Sequence, residues 1–218
     1  MPTVAPVSKL DLPLFLVVFG IIVLAFPMAR QKLAHGTAGF ALHRAAHPLE
    51  PAIGAASAVL VLGVVAWAAL YAALGPEALG VWREPAWVRA VGWLLAGAGT
   101  LGTAIAQGQM GSSWRIGIDQ GETQLVTRGL YRLVRNPIFS GCIVAAVGIA
   151  LLAPSAWSIA AVFVIVVMIS LQVRIEEDHL QKAHGRAYRA YAAKVGRLLP
   201  RLGRLSCPSD GADLTRQS

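Results

Sequence analysis

The chain has 218 residues, 56% of them hydrophobic and 14% charged, and a mean hydropathy of +0.61. A soluble domain of this size carries about a quarter charged residues, so the composition excludes an ordinary soluble protein and points to one membrane unit. The formal net charge of +8 comes from basic residues flanking apolar runs, the pattern of membrane topology and not of a nucleic-acid-binding face.

The first apolar run covers about residues 12–29. A signal peptide needs a basic leader and a small-residue cleavage site. Only Lys9 precedes the run, and Phe26-Pro27-Met28 is a poor cleavage site. A spanning helix with Arg30 and Lys32 as its stop fits better. A basic loop, 30–51, leads to a second run at about 51–74. Turn signals at Gly75-Pro76 and Glu84-Pro85 precede a third run at about 88–106. Each run holds the roughly 20 apolar residues that a bilayer crossing needs.

Two shorter runs, about 138–153 and 156–171, are separated by Pro154-Ser155. They predict a tight helical hairpin, tilted or re-entrant at its tip. The expected fold is an all-α integral membrane protein with about five transmembrane helices. From Arg174 to about Lys194 a further helix is predicted, with Leu180, Ala183, His184, Ala187, Tyr188 and Tyr191 at helical spacing. Lys182, Arg186 and Arg189 take its other face, which suits an anionic membrane surface. Pro200 stops it.

Residues 1–204 read as a single membrane domain, its catalytic part about 107–204, and 205–218 as a flexible tail. Arginine and lysine recur in loop 30–51, loop 107–137 and the tail from 174. The other side holds only Lys9, Arg83 and Arg89. The positive-inside rule then places the C-terminus in the cytoplasm and the N-terminus outside, in a bacterial inner membrane.

Several features take a bland reading. Cys142 and Cys207 set no disulfide framework, and Cys142 is a small packing residue in an apolar run. His43 and His47 read as loop histidines, and no metal site is expected. Gly97-Ala-Gly99-Thr-Leu-Gly102 matches the dinucleotide pattern, with Glu122 twenty residues on. That fingerprint needs a soluble strand–turn–helix unit. Inside a membrane run the same small residues let helices approach closely.

Two polar knots remain, and both are predicted at the cytoplasmic face. Thr123 to Phe139 gathers Arg128, Arg132 and Arg135 beside Tyr131 and ends in Asn136-Pro137-Ile138-Phe139. Pro137 suits a first helical turn and Asn136 an N-cap. The second knot is Gln172-Val-Arg174-Ile-Glu176-Glu177. Gln172 and Glu176 share a helix face, while Arg174 and Glu177 are spaced to pair. Adjacent acids at the end of a membrane helix are costly and usually functional.

The ordered motifs G-x-Y-x-x-V-R-N-P-x-F-x-G, E-E-x-x-L and H-G-x-x-Y-x-x-Y-x-x-x-V-x-R-x-x-P span roughly residues 107–201. They resemble the isoprenylcysteine carboxyl methyltransferase family, itself related to the membrane phospholipid methyltransferases. The segment around Trp114 and Arg115 is similar to bacterial members. The resemblance implies S-adenosylmethionine as cofactor and S-adenosylhomocysteine as product. By position, cofactor contacts would fall on Thr123, Gln124, Leu125, Val126, Tyr131, Asn136, Pro137, Ile138, Phe139, Glu176 and Glu177. The sequence departs from the family pattern at Asn136, where His is usual, and at Phe139, where Tyr is usual. It also has Gln172 where the eukaryotic enzymes carry an arginine for the substrate carboxylate.

Methyl transfer from a sulfonium needs alignment and exclusion of water. Tyr131, Phe139 and Trp114 could face the cation. No His or Cys pair is poised as a base, which favours an already ionised carboxylate nucleophile. Arg174, Gln172 and Arg135 are the candidate catalytic residues, the arginines orienting the acceptor. The expected partners are the bilayer and a lipophilic small molecule or lipidated substrate, with no nucleic acid and no obligate protein partner. A phospholipid amine or small-thiol methyltransferase, an NADPH-dependent membrane reductase and a non-enzymatic scaffold are the competing readings.

Overall fold

The structure is a computed structural model and describes residues 8–35, 49–111 and 125–205. Thr123, Gln124, Trp114, Arg115, Glu122, His43, His47 and Cys207 lie outside the described residues. The predicted all-α membrane architecture is what the chain adopts.

Helix α1 (Asp11–Gly20) passes through a π turn (Ile21–Ala25) into α2 (Phe26–His35). The widened turn has an identifiable cause. Pro27 has no amide to reach the Val23 carbonyl four residues before it. An unsatisfied carbonyl is costly in lipid, and the Gln107 side chain fills the vacancy, donating to it at 2.8 Å. The π turn thereby ties the first span to a later helix.

Helix α3 (Glu50–Leu74) is apolar all round and leaves Val59, Leu62, Val65 and Leu70 exposed, as lipid-facing residues are. Helix α4 (Ala86–Met110) follows a turn at residues 75–85, and α5 (Pro137–Leu152) and α6 (Ala156–Lys194) complete the bundle. Among the described residues, four helical stretches are long and apolar enough to cross a membrane, at Asp11–Leu33, Glu50–Leu74, Ala86–Met110 and Ala156–Lys194. The fifth, α5, has 16 residues. At 1.5 Å per residue it reaches about 24 Å, short of the roughly 30 Å hydrocarbon core.

The neighbour of α5 is not the one the sequence suggests. Its tightest packing is against α4, and it touches α6 much less. Gly92, Ala96, Gly99 and Thr103 of α4 meet Gly141, Ala145, Gly148 and Leu152 of α5. A Cβ on Gly99, Gly141 or Gly148 would fall under 3.0 Å from backbone of the facing helix. Close backbone approach replaces the hydrophobic drive that lipid cannot supply. Gly99 of the glycine-rich pattern sits in this seam, whereas Gly97 and Gly102 face open space.

Ser155 starts α6 with a reciprocal capping box to Ser158. Of its 39 residues, those before Gly185 alone reach about 44 Å, well beyond the roughly 30 Å membrane core. Its second half therefore extends past the membrane. Gly185 interrupts it with φ 49° and ψ −117°, a conformation that only glycine adopts cheaply. The break turns the last turns of α6 back over the bundle, and residues 195–205 run on from them as a strap. At the opposite end, Leu12, Tyr71, Ala96, Leu152 and Ala153 form an apolar core.

Candidate active site

The two polar knots meet at the end of the bundle where α4 finishes and α5 begins. A 3-10 turn at Gly129–Arg132 carries Tyr131 into the protein. Gly129 makes that possible with φ 60°, and Gln109 of α4 closes the turn by accepting the Leu130 amide at 2.8 Å. Tyr131 is buried and its hydroxyl lies 3.5 Å from the Ala106 carbonyl. Tyr191, from beyond the Gly185 break, donates to the Tyr131 carbonyl at 2.5 Å.

Arg135 is the hub of the arrangement. Its Nε donates to Glu177 Oε1 at 2.8 Å. One terminal nitrogen reaches the carbonyls of Ala192 at 2.9 Å and Val195 at 2.6 Å, and the other the Gly203 carbonyl at 3.0 Å. All three guanidinium nitrogens are thus engaged inside the protein, which gives Arg135 a different task from orienting an acceptor. Asn136 also differs from its predicted role. It makes no side-chain cap to α5. Its amide nitrogen donates to Glu177 Oε1 at 3.3 Å and to the Arg197 carbonyl at 3.2 Å. Ser140 reaches the Leu198 carbonyl at 2.7 Å.

Glu177 is held from both sides, since Arg197 donates to Oε2 at 2.8 Å. The predicted Arg174–Glu177 pair does not form. Glu177 turns inward to Arg135, while Arg174 is exposed. Backbone pairing reinforces the clamp. Val134 bridges to Gly196 in parallel fashion, and the amides of Arg135 and Asn136 donate to the carbonyls of Gly196 and Arg197.

Glu176 has the opposite situation. It is half-buried and makes no hydrogen bond among the described residues. Its charge lies close enough to matter at Tyr131. Burial raises that phenol well above its ordinary range, and Glu176 and then Tyr191 raise it further. Among the described residues, buried Glu50 Oε1 and Oε2, His184 Nε2 and Tyr188 Oη also lack hydrogen-bond partners. Unsatisfied buried groups are rare in folded proteins, and each calls for an explanation. Leu125, Val126, Ile138, Phe139 and Gln172 are partly buried, and Pro137 is fully buried. Among the described residues no group of His, Cys, Asp and Glu could hold a metal ion.

Residues 87–187 match the family model described as phospholipid methyltransferase. Over that stretch, a little under half of its length, the chain is similar to this family of membrane methyltransferases. The methyltransferase match runs from the start of α4 to just past the Gly185 break and takes in Tyr131, Arg135, Asn136, Glu176 and Glu177, but not the strap. A solved structure of the eukaryotic intramembrane Ras methyltransferase ICMT (isoprenylcysteine carboxyl methyltransferase) has the same fold. It aligns with a TM-score of 0.61 and 18% identity, over 94% of this chain and 71% of that one. No curated protein matches the chain. Arg197, Gln107, Gln109 and Tyr191 carry the site's geometry but were not singled out as site residues by the sequence. The one signal for Arg197 was its place in the V-x-R-x-x-P motif.

Proposed function

We propose that this protein is a membrane methyltransferase that uses S-adenosylmethionine to methylate a lipophilic acceptor delivered through the membrane, most like the carboxylate of an isoprenylated cysteine. The observation that carries the reading is Glu176, a half-buried acid left without a partner beside the buried Tyr131, on a helix whose next residue is fully paired. The chain offers what the cofactor requires. Glu176 supplies an acceptor for hydroxyl or ammonium groups, and Tyr131 and Phe139 supply aromatic faces for a sulfonium. No side chain caps the first turn of α5, so the amides near Ile138 and Phe139 suit a carboxylate. Held by these residues, the cofactor would supply an electrophilic methyl group for transfer to the acceptor.

The protein's part is alignment and exclusion of water. Partly buried Leu125 and Val126 complete the proposed cofactor wall. Glu177 holds the wall in shape and does not contact the cofactor. Arg174, exposed one turn from the membrane end of α6, takes the acceptor's anionic group, with half-buried Gln172 beside it. Arg135 is committed to the clamp and stays out of acceptor binding. The site end carries exposed Arg128, Arg132, Arg174 and Lys182, and the other end Lys9 and Arg83. The positive-inside rule therefore supports a cytoplasmic site and C-terminus.

The family description favours a second reading, in which the acceptor is a phospholipid amine. Calorimetry of S-adenosylhomocysteine on the detergent-purified protein tests the cofactor. Micromolar binding lost in Glu176→Ala, with the protein still monodisperse, supports the site, and unchanged binding removes Glu176 from it. Radiolabelled methyl transfer then separates the acceptors. Label in a prenylcysteine analogue supports the first reading, and label in a phosphatidylethanolamine lipid the second.

A further inference from the structure

Arg197 lies ten residues beyond the family-matched segment, in a strap that the proposed chemistry does not use. Its contacts are unusually directed. The side chain donates from Nε to Glu177 Oε2 at 2.8 Å, and its Nη2 lies 2.8 Å from the same oxygen as an ion pair. Its carbonyl accepts from the Asn136 backbone amide and side-chain amide, each at 3.2 Å. Its own amide donates to the Leu202 carbonyl at 2.7 Å, closing the strap on itself. Gly196 must precede it, because a Cβ there would collide with the backbone around Leu199 and Arg201.

Glu177 and Glu176 are adjacent on one helix, so their side chains diverge by about 100°. Anchoring Glu177 fixes the rotation of α6 about its axis at this point, and with it the face on which Glu176 stands. Arg135 and Asn136 hold only Oε1. Among the described residues Arg197 alone engages Oε2. Without it the carboxylate can swing about the Oε1 contacts, and one of two cations that offset the adjacent acids is gone. Glu176 would then face an uncompensated neighbouring charge.

We infer that Arg197 is a positioning residue of the cofactor site, acting through Glu177 to aim Glu176 toward Tyr131. The inference rests on the reading of Glu176 as a cofactor anchor. It makes the strap part of the functional unit and not a tail behind it. Arg197 keeps 34% of its side chain exposed, so substitutions there spare the buried core.

The test is S-adenosylhomocysteine calorimetry on full-length wild type, Arg197→Ala and Arg197→Lys, with thermal unfolding of each. The expected result is a roughly five- to tenfold weaker affinity in Arg197→Ala, a partial recovery in Arg197→Lys, and unfolding temperatures within a few degrees of wild type. Normal affinity in Arg197→Ala, or a loss of affinity matched by a collapse of thermal stability in both variants, overturns the positioning role. Should Arg197→Ala fail to fold, Arg197→Lys carries the test: wild-type stability with intermediate affinity supports the inference, and wild-type affinity removes it. A wild type that binds no S-adenosylhomocysteine removes the cofactor reading itself, and the inference with it.

Discussion

Arg135 and Glu177 stand 42 residues apart in the chain and 2.8 Å apart in space, with side chains only 1% and 6% exposed. One stands just before α5 and the other lies midway along α6, so their pairing joins the two polar knots. Breaking a buried pair by removing one partner leaves a stranded charge, which costs about 3–5 kcal/mol. Arg135→Ala also orphans the carbonyls of Ala192, Val195 and Gly203. Denaturant or thermal unfolding in detergent should show a loss of at least this size. A loss below about 1 kcal/mol would mean that the clamp does not hold the fold.

The α4–α5 seam makes a paired prediction. Gly99→Leu forces side-chain atoms into the backbone of α5 and should destabilise by about 1–3 kcal/mol or more. Gly97→Leu, two residues away, meets nothing within 4 Å and should be neutral. Unfolding midpoints of the two variants decide it. Equal effects would dissolve the seam.

Gly185 separates Tyr188 and Tyr191 from the straight part of α6. Its φ of 49° with ψ of −117° costs any other residue about 1–3 kcal/mol. Gly185→Ala should lower the unfolding temperature and, by straightening the helix, loosen the Tyr191 contact to the Tyr131 carbonyl. Hydrogen exchange at the 129–132 turn would rise. Protection unchanged in that turn would show that the break does not position it.

Tyr131 gives a pH prediction. Burial first, and then Glu176, favour its neutral form. A folded-state value raised above the unfolded one stabilises the protein fully below the ordinary tyrosine range near 10. That stability is lost as pH rises through the folded value. Absorbance at 295 nm, wild type against Tyr131→Phe, should show no ionisation at this residue around pH 10. A step there would place the phenol in water.

The helices were legible because a membrane leaves few choices. Runs of about 20 apolar residues must be helical in lipid, and the spans from 51–74 and 88–106 match α3 and α4 closely. The helix that carries both acids was legible as well, through apolar periodicity past residue 174. Pairings within the site were not. Arg174 and Glu177 are correctly spaced to meet on one helix, yet Glu177 finds better desolvated partners in Arg135 and Arg197. Asn136 has the chemistry of a cap, yet a buried carboxylate and a carbonyl claim its amide group. Local spacing describes what a side chain can reach within its own helix and says nothing of what other segments bring near it.

The sequence by itself determined the membrane class, the helix positions and the two polar knots. These depend on local composition, on the length of apolar runs and on the cost of bare backbone in lipid. Only the tertiary structure decided that α5 packs on α4, that Gln107 fills the Val23 carbonyl vacated by Pro27, and that the strap returns Arg197 to Glu177. Each of these is a meeting of residues distant in the chain, set by close packing and by the need of buried charges and carbonyls for partners. The same need divides the adjacent acids: Glu177 is satisfied within the fold, and Glu176 has no hydrogen-bond partner among the described residues.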